Sequence, residues 1–412
     1  METPSPATSP SGRSALLRYL GTALIARTAT ESTTSAILLA SFAVLGTATT
    51  GSYMVAGLIA AAALGGPVVG ALLDRSRRLH RGFVTAMLTL AVGPALIAVL
   101  LGHAPTAVLI AIAAVAGLGY PGVIAAWTAQ LPRLVAPESL PRAYAADAAS
   151  YSTAAVIGAP AAAASLAISP TAPLWVPSLL LVLASITVLS VPLRPVAHHE
   201  RPSIVADLRL GFSLIVTRPL LLRSVLVSSL SLAAQLALVI SAPVLARDFT
   251  GSTGFTGVIV GAFAVGGVIT SLVATRFPIR RPDRMMLLCA LGAGVMLVVY
   301  RFAPNATVAV LAAFIMGMTD GPMVASTFQV RARESTPQVR TQVFTTAAST
   351  KMIFAAIAAA IYGSLLVHGT DSVIDAGIVL DVLAVIVALV IDGLRRSLQW
   401  GHGRPDRPRR KR

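Results

Sequence analysis

Residues 52–78 read SYMVAGLIAAAALGGPVVGALLDRSRR, an apolar stretch that ends abruptly in one acidic and three basic side chains. Residues 52–73 contain no charged residue, and a helix needs about 20 such residues to cross the hydrocarbon core of a bilayer. The charged turn from Asp74 to Arg78 marks the point at which such a helix would leave the membrane. This stretch therefore predicts a transmembrane helix followed by a short basic loop.

Similar apolar stretches recur along the whole chain of 412 residues. We predict twelve spans, at residues 17–45, 52–73, 83–102, 106–129, 143–168, 173–193, 221–246, 253–275, 285–302, 306–328, 341–367 and 372–393. Apolar residues make up 56% of the chain and charged residues 12%, with a mean hydropathy of +0.80, whereas soluble domains carry about 25% charged residues. This composition excludes an ordinary soluble enzyme and a disordered chain, and it predicts an all-α membrane protein.

The basic residues predict how the spans are oriented. If the N-terminus is cytoplasmic, all but four of the 32 Lys and Arg residues fall in the two tails or at the cytoplasmic ends and connections of the spans. The exceptions are Arg27 and Lys351 within spans, and Arg247 and Arg301 in outer loops. Because cytoplasmic loops carry an excess of Lys and Arg, we expect both termini on the cytoplasmic side of the plasma membrane.

The longest polar connection divides the spans into two groups of six. We expect a disordered cytoplasmic tail at 1–16, a six-helix bundle at 17–193, a cytoplasmic linker at 194–219, a second six-helix bundle at 220–394 and a basic cytoplasmic tail at 395–412. Apolar and charged residues are interleaved in the second part of the linker, which predicts an amphipathic helix on the membrane surface. Gly66 precedes Arg75 by the same spacing as Gly267 precedes Arg276, which indicates an internal duplication.

The loop between spans 2 and 3 has the sequence Gly70-Ala-Leu-Leu-Asp74-Arg75-Ser-Arg77-Arg78. With this loop and its two groups of six spans, the chain resembles the major facilitator superfamily of secondary transporters, and among them the drug and metabolite efflux permeases of the actinobacterial type. The second glycine that the family usually has after the Asp-Arg pair is replaced here by Arg77. The resemblance implies two pseudo-symmetric six-helix bundles that carry a small molecule by alternating access, without a cofactor.

The resemblance also implies a gate. If the bundles pack together at the cytoplasmic side, Asp74 is expected to face the positive N-terminal end of span 11 near Arg340, and this contact would close that side. The alternative is that the loop is only a basic cluster that fixes topology. In span 5, Gly158-Ala-Pro160 resembles a degraded form of the Gly-Pro motif of proton-linked exporters, which implies export.

Arg27 and Glu31 fall deep within span 1, where an ionisable group costs at least about 2.5 kcal/mol. They are spaced i, i+4 among serine and threonine residues and can pair with each other. In a functional interpretation, Glu31 is a proton-coupling carboxylate in a central cavity and Arg27 is its counter-charge. In a structural interpretation, the two form a self-neutralised pair that packs against a neighbouring helix.

Asp320 in span 10 and Lys351 in span 11 fall at a similar predicted depth and can be brought together by neighbouring helices. Gly317, Gly321 and Pro322 are expected to loosen span 10 around the acid, as in the broken helices that form binding sites. The alternative is a structural clamp between the two spans.

Three further polar residues are assigned by their positions in the spans. Trp127 in span 4 and Gln235 in span 7 are candidates to line the cavity, although Trp127 near the end of a span is also typical of an interfacial anchor. Asp147 lies about one turn inside span 5, and we expect it to bind Arg75 or Arg78 at the cytoplasmic side. The sequence assigns no role to Asp375 or Asp381 in span 12.

The sequence contains no phosphate-binding loop, nucleophile arrangement or metal-ligand cluster, and it has the single cysteine Cys289, which argues against an enzyme or an ATP-driven pump. The leading hypothesis is a monomeric, proton-coupled exporter of a small molecule. An importer or facilitator of a small metabolite, and a membrane scaffold or sensor that no longer transports, are the alternatives. The basic tail at 395–412 is expected to meet anionic lipid headgroups rather than nucleic acid.

Overall fold

The computed structural model of the chain describes residues 10–45, 49–193, 204–251, 255–365 and 368–401. Every regular element within these ranges is helical. The helices are α1 (Pro10–Leu45), α2 (Thr49–Arg75), α3 (Leu79–Leu100), α4 (Thr106–Gly117), α5 (Leu131–Leu134), α6 (Leu140–Ser165), α7 (Ala172–Thr187), α8 (Ile204–Thr217), α9 (Pro219–Thr250), α10 (Thr256–Arg276), α11 (Pro282–Arg301), α12 (Ala306–Glu334), α13 (Arg340–Leu365) and α14 (Thr370–Gly401). A five-residue π-helix, Gly122–Ala126, follows α4 and lengthens it.

The predicted all-α membrane architecture is confirmed in the described part of the chain. Ten helices are long and apolar enough to cross a membrane. The other two long helices, α1 and α6, match the first and fifth predicted spans and complete the twelve. They fall below the hydropathy of the rest because they carry many polar and small residues, including the buried Arg27 and Asp147. They pack closely on each other and so cover these polar groups.

The twelve long helices form two halves of six. In the first half, α1 packs on α6 and α7, α2 on α4, and α3 on α7. In the second half, α9 packs on α14 and α13, and α12 packs on α10 and α11. The halves meet chiefly where α2 lies against α13 and where α6 lies against α10 and α12.

Two glycines allow α2 and α13 to approach closely. A Cβ atom on Gly70 would lie 2.8 Å from the Cα atom of Gln342, and it would also collide with the side chain of Thr345. A Cβ atom on Gly66, one turn earlier in α2, would collide with the hydroxyl of Ser349. These two glycines therefore let the backbones of the two halves come together at the end of the molecule where α2 ends and α13 begins. We call this end, which also carries the basic loops, the basic end.

The amphipathic helix expected in the linker is α8, but it packs on protein as well as facing outward. Leu214 and Ile215 contact an apolar cluster that contains Leu221 of α9 and Val343 of α13. Gly211 lies against the side chain of Gln342. This helix therefore rests on the basic end of the second half and also reaches α2.

Parts of the predicted tails and linker lie outside the described residues, namely 1–9, 194–203 and 402–412. Helix α1 begins at Pro10, so residues 10–16 of the expected disordered tail are helical instead. Helix α14 extends to Gly401 and so includes the first residues of the basic tail.

Single-cysteine labelling tests the predicted orientation. Cys289 is the single cysteine of the chain, and it is buried. A Cys289→Ala background should therefore give no labelling of its own with a membrane-impermeant maleimide. We expect His103→Cys, in the exposed turn between α3 and α4, to be labelled from outside intact cells. Ser76→Cys, between α2 and α3, should be labelled only after the membrane is permeabilised. Labelling of both positions from the same side would contradict the twelve-span topology.

Candidate functional site

A cavity of about 510 Å³ lies between the two halves. Its wall is mainly apolar and is built from α1, α2, the end of α4 and α6 on one side, and from α9, α10, α12 and α13 on the other. Four charged residues reach it, namely Glu31, Asp320, Arg331 and Lys351. A cavity of this size is in the range of sites that bind drug-sized molecules.

Glu31 faces this cavity from α1 and has neither a hydrogen bond nor an ion pair to any other described residue. Tyr120 lies in the same part of the wall. The backbone of α6 comes very close here, because Gly158 has no side chain. A Cβ atom on Gly158 would lie 2.9 Å from the Cβ atom of Glu31 and 2.8 Å from the carbonyl oxygen of Thr28. Gly158 therefore holds α6 against α1 beside the carboxylate, while Pro160 lies within α6 without ending it.

The predicted pair between Arg27 and Glu31 is wrong. Arg27 binds Asp147 of α6 instead, with Nη1 2.8 Å from Oδ1 and Nη2 3.1 Å from Oδ2. Both side chains have 0% exposure. A fully buried carboxylate needs a close positive partner, and the two-pronged guanidinium supplies one with directed hydrogen bonds. The same contact overturns the expectation that Asp147 binds Arg75 or Arg78.

Further hydrogen bonds complete this buried cluster. Tyr19 donates to Oδ1 of Asp147 at 2.8 Å, and Thr128 donates to Oδ2 at 2.9 Å. Thr128 also accepts from Nη2 of Arg27 at 2.9 Å. The guanidinium lies 3.6 Å from the ring centroid of Tyr151, which itself lines the cavity. The cluster therefore joins α1, α6 and the segment after α4 behind the cavity wall.

Asp320 and Lys351 both line the cavity, but they form no ion pair within 4.0 Å in the described part of the chain. They are close enough to interact electrostatically without touching. The direct ion pair that a structural clamp between the two spans would use is not formed between these two residues. Helix α12 is also not loosened around the acid, since it continues through Pro322. Gly321 serves packing, because a Cβ atom there would lie 2.8 Å from the carbonyl oxygen of Gly267 in α10.

Trp127 and Gln235 do not line the cavity. Trp127 is fully buried within the first half, stacked on Tyr19 at 5.1 Å between ring centroids and edge-on to Phe83 at 5.0 Å. It is therefore a core residue rather than an interfacial anchor. Gln235 is 6% exposed, and Leu232 and Val239 are the residues of α9 that reach the cavity.

At the basic end, Asp74 caps α13 across the boundary between the halves. Its Oδ2 atom accepts a hydrogen bond from the backbone N–H of Gln342 at 2.8 Å, and its Oδ1 atom accepts one from that of Thr341 at 3.3 Å. This is the geometry expected from the sequence, since a carboxylate is favourable at the positive end of a helix dipole. Arg77 and Arg78 of the same loop are exposed.

A second loop strengthens this contact. Nη2 of Arg133 lies 3.6 Å from Oδ1 of Asp74 and donates to the carbonyl oxygen of Pro337 at 3.1 Å. Burial lowers the pKa of the Arg133 guanidinium below its ordinary value, and the charge of Asp74 partly offsets this effect. No motif in the sequence marks Arg133, although it is the basic residue that follows span 4 directly.

Four aromatic rings lie between the cavity and the basic end. Phe328 of α12 contacts Tyr144, Tyr151 and Phe344 with ring centroids 5.9–6.1 Å apart. Two of these rings come from each half, so the contact links the halves on the side of the cavity that faces the basic end. No local pattern in the sequence indicates this cluster, because its two tyrosines lie in α6, far along the chain from the two phenylalanines in α12 and α13.

The acids of α14 are remote from the cavity wall. Asp371 and Asp375 each lie 3.0 Å from Arg301, at the end opposite the basic end. Asp381 is buried beside Gly294 of α11. These contacts give Asp375 a structural partner that the sequence did not reveal.

Comparison with known proteins identifies the fold. A family model described as the Major Facilitator Superfamily matches residues 15–396. No curated protein matches the chain. The chain is similar in structure to the human organic anion transporter MFSD10 (TETRAN), with a TM-score of 0.77 and 16% identity over 92% of this chain and 100% of that one.

Two bacterial structures are also similar. One is a bacterial homologue of the iron transporter ferroportin in an outward-facing state, with a TM-score of 0.75 and 16% identity over 92% and 99% of the two chains. The other is the fucose:proton symporter FucP of E. coli, with a TM-score of 0.72 and 15% identity over 92% and 99%. At these identities the similarity shows the fold alone.

The buried pair predicts a strongly non-additive effect on stability. Arg27→Met or Asp147→Leu alone should each cost about 3 kcal/mol or more, because each leaves an unpaired charge in the protein interior. The double variant should lose clearly less than the sum of the two single losses. Thermal unfolding of the detergent-solubilised protein measures this, with the exposed Arg78→Gln as the matched loss of one charge. Additive losses would show that the pair is not an energetic unit.

The contact of Asp74 predicts a change in the closure of the basic end. Asp74→Asn removes the charge that favours the N-terminus of α13, which is worth up to about 2 kcal/mol. A cysteine placed at the cavity residue Ala348, in a Cys289→Ala background, should then react several-fold faster with a maleimide supplied from the basic side. Arg78→Gln is again the control. An unchanged reaction rate would favour the alternative that this loop only fixes topology.

Proposed function

Because this chain belongs to the major facilitator superfamily and is therefore a multi-pass membrane transporter rather than an enzyme, we propose that it is a proton-coupled exporter of a small organic molecule. We place it in the plasma membrane as a monomer with both termini in the cytoplasm. The basic tail would then meet anionic lipid headgroups.

One observation carries the proton coupling, namely the carboxylate of Glu31 in the wall of the cavity. It has no hydrogen-bond or ion-pair partner among the described residues, whereas the neighbouring Arg27 is paired with Asp147. An ionisable carboxylate at membrane depth is costly in free energy, so its presence there indicates a function. Glu31 can take up a proton when the cavity opens to one side and release it when the cavity opens to the other.

The contacts between the halves support alternating access. The Asp74 contact lies at the basic end, and the cluster around Phe328 lies between that end and the cavity. With the predicted orientation this end is cytoplasmic, so the structure corresponds to a state closed to the cytoplasm. Transport then requires these contacts to break while equivalent contacts form at the opposite end.

Export in exchange for protons follows from the resemblance of span 5 to proton-linked exporters. In this scheme a proton on Glu31 and the substrate occupy the cavity alternately. Uptake together with a proton is the second candidate, and the charge balance of the cavity favours it. Two carboxylates face two cations there, so each proton taken up makes the cavity more positive and a bound anion more stable. A scaffold without transport has no use for such a cavity.

Accumulation of a chemically diverse compound panel distinguishes these functions. Cells with and without the protein are compared, each with and without a proton uncoupler. Export predicts that some compound is depleted from protein-containing cells and that the uncoupler restores it. Uptake predicts enrichment that the uncoupler abolishes. If no compound differs in accumulation between cells with and without the protein, although the protein is correctly inserted, the result would favour the scaffold.

Glu31→Gln should abolish uphill transport. Glutamine keeps the shape of the side chain but cannot titrate, so the gradient can no longer drive the cycle. Binding, and exchange of labelled for unlabelled substrate, should persist. Glu138→Gln, an exposed carboxylate outside the cavity, is the matched control. If Glu31→Gln still concentrates substrate normally, Asp320 becomes the coupling candidate.

A further inference from the structure

We propose that the cavity binds an amphipathic organic anion, whose acidic group is held by Arg331 and Lys351. This inference rests on the proposed transport function and adds a substrate class and a binding site to it. Arg331 lies in the last turns of α12 and Lys351 in the middle of α13, and both line the cavity from the second half.

Arg331 is buried without a negative partner. Its side chain is 3% exposed, yet no carboxylate lies within 4.0 Å of it in the described part of the chain. Nη2 donates to the hydroxyl of Ser228 at 2.9 Å, while Nε has no hydrogen-bond partner there. The Nε atoms of Arg27, Arg133 and Arg223 also lack a partner, so the missing carboxylate is what distinguishes Arg331. A buried guanidinium without a negative partner is costly, and an acidic ligand group would supply one.

The other buried arginines show that this lack of a partner is unusual for the chain. Among the residues that the structure describes, the other two fully buried arginines have close partners, since Arg27 has Asp147 at 2.8 Å and Arg223 has Asp392 at 3.3 Å. The partly buried Arg133 has Asp74 at 3.6 Å. Each of these three lies in a packed contact between helices or loops. Arg331 is the buried arginine that faces the cavity, which indicates a role in binding rather than in packing.

Lys351 adds a second positive charge at the same wall. It is close enough to Arg331 for the two cations to repel each other, and its interaction with Asp320 falls short of an ion pair. Asp320 is therefore a neighbour of Lys351, whereas Arg331 has no neighbouring carboxylate in the described part of the chain. A carboxylate or sulfonate bound at this wall would be attracted by both cations and would offset their repulsion.

The rest of the cavity defines the body of the ligand. Phe263, Met323, Phe328, Phe344 and Met352 form much of its wall, and the volume of about 510 Å³ accommodates a drug-sized molecule. An apolar wall with a charged group at one place suits an aromatic or alkyl acid. It does not suit a sugar, which needs many hydrogen-bonding groups along its length.

Protonation of the cavity changes how tightly an anion binds there. With both carboxylates ionised, the four charges of the cavity cancel, so a proton on Glu31 or Asp320 leaves a net positive charge. An anion therefore binds more tightly to the protonated cavity, which favours movement of the proton together with the substrate. The compound panel above decides between this coupling, which the second candidate uses, and export.

Binding of three matched probes to the purified full-length protein in lipid nanodiscs tests the proposal. The probes are 2-naphthoate, its neutral amide and naphthalen-2-ylmethylamine, which share one aromatic body and differ in charge. We expect the carboxylate to bind about tenfold more tightly than the amide and the amine to bind most weakly, because charge-assisted hydrogen bonds distinguish them.

Variants locate the site. Lys351→Gln and Arg331→Gln should each reduce the preference for the carboxylate several-fold. Arg331→Lys, which keeps the charge, should retain most of it and guards against a folding defect in Arg331→Gln. Asp320→Asn should instead strengthen carboxylate binding, since it removes a competing negative charge. Arg284→Gln, an exposed loss of the same charge outside the cavity, should change nothing.

The outcomes separate this proposal from the proposed transport function. Equal binding of carboxylate and amide, tightest binding of the amine, or no binding of any probe would overturn the anion site. So would a carboxylate preference that survives both Lys351→Gln and Arg331→Gln. If the compound panel reveals transport of only neutral or cationic molecules, transport stands and the anion site falls. If no compound is transported but the charge-dependent binding is found, the site stands and transport falls.

Discussion

The buried ion pair between Arg27 and Asp147 is the interaction on which the first half of the molecule depends. Both groups have 0% exposure, so neither could remain charged in this position without the other. Their contact requires α1 and α6 to lie side by side, and Gly158 makes that approach possible. Tyr19, Thr128 and the ring of Tyr151 complete the cluster. Because Arg27 is held there, Glu31 one turn later remains without a partner and faces the cavity.

The contact between the halves is of a different kind. At the basic end it consists of one carboxylate on a helix N-terminus, a loop arginine at 3.6 Å and a few aromatic rings, while Gly66 and Gly70 bring the backbones together. Each of these contacts is worth only a few kcal/mol. They can therefore break without disturbing the charge cluster inside the first half, as rigid-body movement of one half against the other requires.

The sequence predicted what depends on composition and local pattern, and it missed what depends on pairing across the fold. Hydropathy located the twelve spans, and the Gly70 to Arg78 motif placed Asp74 opposite α13. The i, i+4 spacing of Arg27 and Glu31 suggested a local pair, but the true partner is 120 positions away. No periodicity in one helix reveals such a partner, because it is set by which helices are neighbours. The burial of Trp127, the position of Gln235 and the cluster around Phe328 were missed for the same reason.

The two halves differ in how they compensate their buried charges, and this difference assigns them different tasks. In the first half Asp147 neutralises the buried Arg27 near the cavity, and the charged group that lines the cavity without a partner in the described part of the chain is the carboxylate of Glu31. In the second half Arg331 has no neighbouring carboxylate among the described residues, and Lys351 interacts with Asp320 without forming an ion pair. A proton can therefore bind on one side of the cavity and an anion on the other, across the boundary that changes when the halves move. Each charge added on one side then alters the stability of the charge on the other through the same small, apolar volume. Through this electrostatic coupling a proton gradient can act on the substrate, even though the bound proton and the substrate need not touch.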